Sequence, residues 1–435
     1  MPQKVLIITS SGGGGLLQAA KAKEQEILAQ DPDAVILWRD VMKDWIWGWF
    51  GRLMVSLWNG AQIKGSVRAQ NFFGTGAPIA EYIFWVSIFF YSLRTIFKED
   101  VDRIIDTQVL GTSAVLKVLR LFHRYRQKKV VLEKVLVDLP TKKATHFFKP
   151  IRKLCAKDRA FLRLITIPPM LEKGQTNQEF WKQNCNLTEG NLQYEDFYVR
   201  RSFAAYRDLA RGKDPFPIKT RFQSAEELEF ILKSVSRSGV VYEIGEKEIR
   251  FQIEPRALVF TVLLGSQPAN NATVRYVQHC LKILQSSQKK VYLFVFSANH
   301  EVGQKTLFHK VSEVVQLCDP YPKNLTVIPM SFQNDDVIAS LFFRSDMTCT
   351  RSGGQTAMEL MSVSKGEIWV HSEAKPKTTP LTKEELLAGI PGWESANAAY
   401  LQHVRNAKVV TTDTFGDEVR ALLHSALISD TFTAR

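Results

Sequence analysis

The stretch DMTCTRSGGQTAMELMSV (346–363) runs an apolar strand into the turn Arg351, Ser352, Gly353, Gly354, Gln355 and Thr356, then directly into a helix. Glycines at 353 and 354 let the backbone approach a ligand, and the free N–H groups and dipole of the new helix favour a phosphate. Glu359 falls one turn into that helix, where a carboxylate accepts a pair of hydrogen bonds from a ribose diol. A second strand ends in LLGSQPANNAT (263–273) and offers Gly265, Ser266 and Gln267 to the same cleft. Tight strand–helix packing explains one glycine pair equally well. Two such loops with a downstream acid point instead to a nucleotide. A third loop, TSSGGGGLLQAA (9–20), sets Gly13, Gly14 and Gly15 between another strand and helix and follows them with Leu16 and Leu17.

The elements that must carry these loops alternate. KVLIIT (4–9), AVILWRD (34–40), VDRIID (101–106) and EKVLVDL (133–139) read as strands, with LLQAAKAKEQEILAQ (16–30) and SAVLKVLRLFHRYRQ (113–127) as helices. The rhythm restarts with ALVFTVLLGS (257–266), NNATVRYVQHCLKILQSS (270–287), KKVYLFVFSA (289–298) and NLTVIPM (324–330), and ends on KVVTTD and FGDEVRALLHSAL. Strands alternating with helices predict parallel sheets covered on both faces. The fold class expected is therefore α/β, with two Rossmann-like domains facing across a cleft. The division expected is an N-terminal domain over 1–203 and a C-terminal nucleotide-binding domain over 204–435. The polar run 170–195 reads as a linker or insertion, 237–255 as a hairpin, and the last helix as packing back on the first domain.

A chain of 435 residues with 45% hydrophobic and 23% charged content is a globular protein of more than one core. Its net charge of +13 suggests an anionic partner: a phosphorylated ligand, an acidic membrane surface or nucleic acid, the last without any recognition motif. The basic residues gather in HRYRQKK (123–129) and KKATHFFKPIRKLCAKDR (142–159). Cys155, Cys185, Cys280, Cys318 and Cys349 are scattered, which predicts reduced thiols and no metal site. MPQK leads directly into a strand without a signal-peptide pattern, so a cytoplasmic protein is expected. YIFWVSIFFYSL (82–93) is too short to span a bilayer and reads as a buried helix. The tryptophan-rich DWIWGWFGRLMVSLW (44–58), flanked by Arg52 and Lys64, keeps contact with a bilayer surface as the alternative.

TRSGGQTAMEL and GSQPANN resemble the donor-binding loops of the glycosyltransferases that include the peptidoglycan N-acetylglucosaminyltransferase and the monogalactosyldiacylglycerol synthases. The resemblance implies a glycosyltransferase-B fold with the sugar nucleotide, a UDP-sugar, held by the C-terminal domain and no other cofactor. It implies that Glu359 binds the ribose and that Ser266 and the Gly353–Gly354 turn face the diphosphate. WESANAAYL (393–401) is similar to the segment that contacts the donor sugar, with Glu394 and Asn397 at the contacting positions. WRDVMKDW, QNFFGTGAP, VDRIIDTQVLGTSAVLKVLR, VLVDLPTKKATHFFK and DFYVRRSF resemble the lipid galactosyltransferase branch. That implies an acceptor at or near a membrane.

At the acceptor end the sequence departs from the pattern. Leu16 and Gln108 stand where the family carries histidines, and Ser11 stands where it carries an aspartate. An inverting transfer needs a base within reach of the acceptor hydroxyl, and leucine is not one. Asp138 and His146, at the end of a parallel strand, are the best-placed replacements, ahead of Asp40 and Asp44. Three readings follow: a transferase acting on a lipid, a nucleotide-binding protein without turnover, or a transferase modifying a protein, for instance an effector delivered into another cell.

Overall fold

The computed structural model describes residues 2–11, 14–46, 48–210, 216–266, 268–298, 306–375 and 381–433. Gly13 and Gln267 lie outside the described residues. The first sheet takes β1 (Lys4–Thr9), β2 (Val35–Asp40), β3 (Arg103–Asp106), β4 (Leu132–Val135), β5 (Leu162–Thr166) and β6 (Leu192–Tyr194). It is parallel throughout, in the order β2-β1-β3-β4-β5-β6. Its connections carry α1 (Gly14–Gln30), a π-turn (Val41–Trp45), α2 (Gly48–Ile63), α3 (Val67–Glu99), α4 (Thr112–Arg126), α5 (Thr145–Arg152), α6 (Ala156–Arg159) and α7 (Asn177–Cys185).

After α8 (Arg201–Ala204), an antiparallel sheet in the order β7-β9-β8 is built from β7 (Phe216–Arg221), β8 (Tyr242–Ile244) and β9 (Glu248–Ile253), with α9 (Ala225–Val235) beside it. The second parallel sheet takes β10 (Leu258–Leu263), β11 (Val291–Phe296), β12 (Leu325–Met330), β13 (Met347–Thr350), β14 (Glu367–His371) and β15 (Lys408–Val410) in the order β12-β11-β10-β13-β14-β15. Around it lie α10 (Asn270–Leu284), α11 (Leu307–Leu317), α12 (Asp335–Arg344), α13 (Gly354–Val363), α14 (Lys383–Ala388), α15 (Gly392–Arg405) and α16 (Phe415–Thr433). The central strands are buried almost residue for residue, as sheets covered on both faces require.

Three expectations need correction. Residues 170–195 are not a linker: they form α7 and the sixth strand of the first sheet. A Thr176–Glu179 capping box starts α7, and Phe180, Trp181 and Cys185 bury one side of it, a pattern that the surrounding polar residues obscure. The last helix does not fold back on the first half, because Phe415, Val419 and Leu423 of α16 pack with Tyr276 and Cys280 of α10. Residues 82–93 are only half core: Phe84 and Ile88 are buried, whereas Tyr82, Ile83, Val86 and Phe90 are exposed. They belong to a 33-residue helix, longer than the segment read as helical from the sequence. The hairpin expected in 237–255 is present as β8 and β9.

Candidate functional site

Both parallel sheets reverse strand order beside their first strand, between β1 and β3 and between β10 and β13. Ligands of open α/β sheets bind at such points, beyond the carboxyl ends of the strands. In this chain the two sets of strand ends meet. A Cβ on Gly14 would lie 3.2 Å from Ser266 Oγ, and one on Gly15 3.8 Å from Gln355 Cβ. Gly354 is the tightest contact: a Cβ there would stand 2.1 Å from the Val137 carbonyl oxygen and 2.7 Å from Asp138 Oδ1. Gly265, at φ +88°, takes a left-handed turn that glycine adopts without strain. Two parallel sheets that face each other across one cleft make a recognisable architecture. This is the glycosyltransferase-B fold.

Comparison with known proteins adds likeness at the level of shape. No family model and no curated protein matches the chain. Among solved structures it is similar to MurG of Acinetobacter baumannii, at 11% identity and a TM-score of 0.45, covering 98% of this chain and 94% of that one. It is also similar to the UDP-forming alpha,alpha-trehalose-phosphate synthase of Burkholderia xenovorans, at 10% identity and TM-score 0.44, covering 98% and 91%. The UDP-GlcNAc 2-epimerase of Neisseria meningitidis gives 10% and 0.38, covering 98% and 100%.

Within this glycosyltransferase-B cleft most of the sequence-selected side chains converge and hold one another. Glu359, on α13, is bound at both oxygens by Arg200, with Nε to Oε1 at 2.8 Å and Nη2 to Oε2 at 2.9 Å. Gln355 adds a third donor to Oε1 at 3.1 Å. Arg200 also pairs with Asp335. Burial works against the Arg200 charge, but Glu359 and Asp335 outweigh it and hold its pKa above the ordinary value. Arg351 donates to Gln70 Oε1 at 2.5 Å and to Glu394 Oε2 at 3.0 Å, and Ser352 Oγ donates to the Glu394 carbonyl. Thr356 sits half-buried on α13.

Asn397, fully buried on α15, ties the halves together. Its Nδ2 donates to Asp138 Oδ1 at 2.9 Å and to the Ser352 carbonyl at 2.8 Å, and its Oδ1 accepts from Leu139 N. Asp138 uses its other oxygen for His146, whose Nε2 is 2.8 Å away. A carboxylate at Nε2 fixes the proton there and leaves Nδ1 as the basic nitrogen. The two residues proposed as base are therefore one hydrogen-bonded pair, in contact with the opposite half.

The departures from the family pattern are structural in this setting. Leu16 packs into the first domain's core, and its carbonyl accepts from Thr107 Oγ1 at 3.1 Å. Ser11 N donates to Asp40 Oδ2. Gln108 Oε1 accepts from Leu110 N, while its buried Nε2 has no hydrogen-bond partner among the described residues. Sequence reasoning missed Arg200, Gln70 and His371. Arg200 lies inside DFYVRRSF, the link between the halves, where the arginine pair Arg200–Arg201 gives no sign of which one finds a buried partner. His371 ends β14 and contacts the Tyr276 hydroxyl through Nδ1 at 2.5 Å.

A cavity of about 10 Å³, no more than a water's worth of space, lies at the junction, lined by Gln70, Arg351, His371, Glu373 and Glu394 among others. Pockets for drug-sized ligands run from about 300 to 1,000 Å³. This cavity is therefore too small for a drug-sized ligand as it stands.

Proposed function

We propose that this chain is a metal-independent glycosyltransferase that takes a sugar from a UDP-sugar and passes it to an acceptor at a membrane surface. The observation that carries the reading is the Asp138–His146 pair held against Asn397, which joins a general base to the helix expected to contact the donor sugar. In this reading the acceptor hydroxyl attacks the anomeric carbon as His146 Nδ1 takes its proton. The bond from sugar to phosphate breaks, and UDP leaves toward the amino end of α13, whose N-cap Gly353 makes no side-chain cap. Asp138 stabilises the imidazolium. The domains divide near residues 203 and 204, with the Arg200 segment as the hinge. A membrane acceptor is supported by the apolar outer faces of α2 and α3 in the same domain as the base.

The second reading is a binding protein without turnover, favoured by the complete enclosure of Glu359 by Arg200. Calorimetry with UDP, followed by UDP release from several UDP-sugars with vesicles present, decides between them. Binding with release supports the transferase. Binding without release from any donor supports the second reading, and no heat with UDP overturns both.

A further inference from the structure

Three consecutive residues at the start of α15 are held from the other half of the molecule. Gly392 N donates to Asn71 Oδ1 at 2.9 Å. The Trp393 ring stacks on Trp58, with centroids 5.4 Å apart and planes 28° from parallel. Glu394 Oε2 accepts from Arg351 Nη2 at 3.0 Å, and the same nitrogen donates to Gln70 Oε1. Trp58 belongs to α2, Gln70 and Asn71 to the first turns of α3. The turn between those two helices closes on Glu373, which leaves no room for a side chain on Gly65.

These contacts fix direction as well as distance. The first N–H groups of a helix have no partner within it, and a side-chain oxygen beside them satisfies one and sets where the helix begins. Pro391, which precedes α15, has no such oxygen, so Asn71 supplies it from the other domain. Stacking of Trp58 on Trp393 then limits rotation of the same turn. Arg351, gripped by Gln70, holds the nearly buried Glu394 carboxylate by one oxygen. Its other oxygen, Oε1, accepts no hydrogen bond among the described residues. A carboxylate oxygen placed in this way takes a hydroxyl donor, and hexoses that differ at one carbon differ in where that hydroxyl points. Selection between them tolerates errors of only about 0.5 Å or 10–20° in the placed group.

From this we infer that Trp58, Gln70 and Asn71 are positioning residues for choice of the donor sugar. They lie in the acceptor-side domain and act through α15: they set the place of its first turn, and with it the hydroxyl that Glu394 accepts from. The inference rests on the proposed reading that α15 meets the sugar of a UDP-sugar. It does not need turnover, because selection shows in binding. Glu359 and Arg200, at the expected ribose position, take no part in these contacts, so affinity for UDP without a sugar is a separate readout.

The test is calorimetry of the full chain with UDP, UDP-glucose, UDP-galactose and UDP-N-acetylglucosamine. Wild type should bind one of the three sugars roughly tenfold more tightly than the other two. Asn71→Ala and Gln70→Leu should each remove most of that preference. UDP alone should bind both variants as it binds wild type, which also confirms that they fold. Asn71→Asp keeps an oxygen for the Gly392 N–H and should keep the preference. A preference unchanged in both Asn71→Ala and Gln70→Leu overturns the inference and leaves the UDP-sugar reading standing. A wild type that binds all three sugars equally does the same. Equal losses for UDP and for every UDP-sugar mean that these residues only hold the domains together, which overturns the positioning role. No heat with UDP or any UDP-sugar ends the donor reading and this inference with it.

Discussion

Arg200 and Glu359 form a bidentate ion pair, with both side chains nearly fully buried. One comes from the link between the domains and the other from the helix expected to bind a ribose. A ribose diol would take the same two oxygens that Arg200 holds. Ligand binding and the Arg200 ion pair are therefore competing uses of one carboxylate.

Removing one partner of such a pair strands the other. Arg200→Ala is expected to lower stability by about 3–5 kcal/mol, read as a shift in the urea midpoint. A loss below about 1 kcal/mol would mean that the pair is solvated in solution and the cleft already open.

Glu359→Gln keeps the shape and one acceptor oxygen but removes the charge. UDP affinity should fall at least tenfold by calorimetry if the ribose lies on this residue. An unchanged dissociation constant takes Glu359 out of the site.

His146→Ala and Asp138→Asn should each reduce UDP-sugar turnover by roughly 100- to 10,000-fold, as loss of a general base does. UDP binding by His146→Ala should persist, since that side chain bonds Asp138 and meets Trp393 edge-on but touches neither glycine loop. Activity that survives both changes rejects this pair as the base.

Gly354→Ala places a methyl group 2.1 Å from the Val137 carbonyl oxygen. One side of the junction must then shift, at a cost of about 1–3 kcal/mol. Thermal melting should show the drop, whereas Gly353→Ala, where the added atom meets nothing within 4 Å, should melt much closer to wild type.

Burial on α3 raises the Glu81 carboxyl above its usual range, against the pull of Lys134 and the Ser113 hydrogen bond. A carboxyl with a raised folded pKa contributes stability below its unfolded pKa and loses it as pH rises through the folded value. Glu81→Gln should therefore gain in melting temperature relative to wild type between pH 4 and pH 7. A difference that stays flat over that range means the carboxyl is not desolvated.

The loops around Gly265, Gly353 and Gly354, and the strands that feed them, were legible because each rests on local rules. Apolar runs of strand length, glycine turns and helix starts need only neighbours in sequence. The fold class followed from their alternation. The pairing of Asp138 with His146 was anticipated only as two candidates at one strand end. The contact of Asp138 with Asn397, more than 250 positions away, was not legible. Helix α7 was missed because three buried residues among polar ones give too little periodicity. In α3 apolar residues on every side hide which side is bare.

Two βα-repeating halves with glycine-rich loops at strand ends can be read from the chain alone, since backbone conformation and burial of apolar runs depend on nearby residues. What those glycines approach emerges only when the two sheets pack. Gly14 and Gly354 face Ser266 and Val137 of the opposite half, and Glu359 faces Arg200. Such partners are chosen by how two sheets pack against each other, a long-range arrangement that no local pattern encodes.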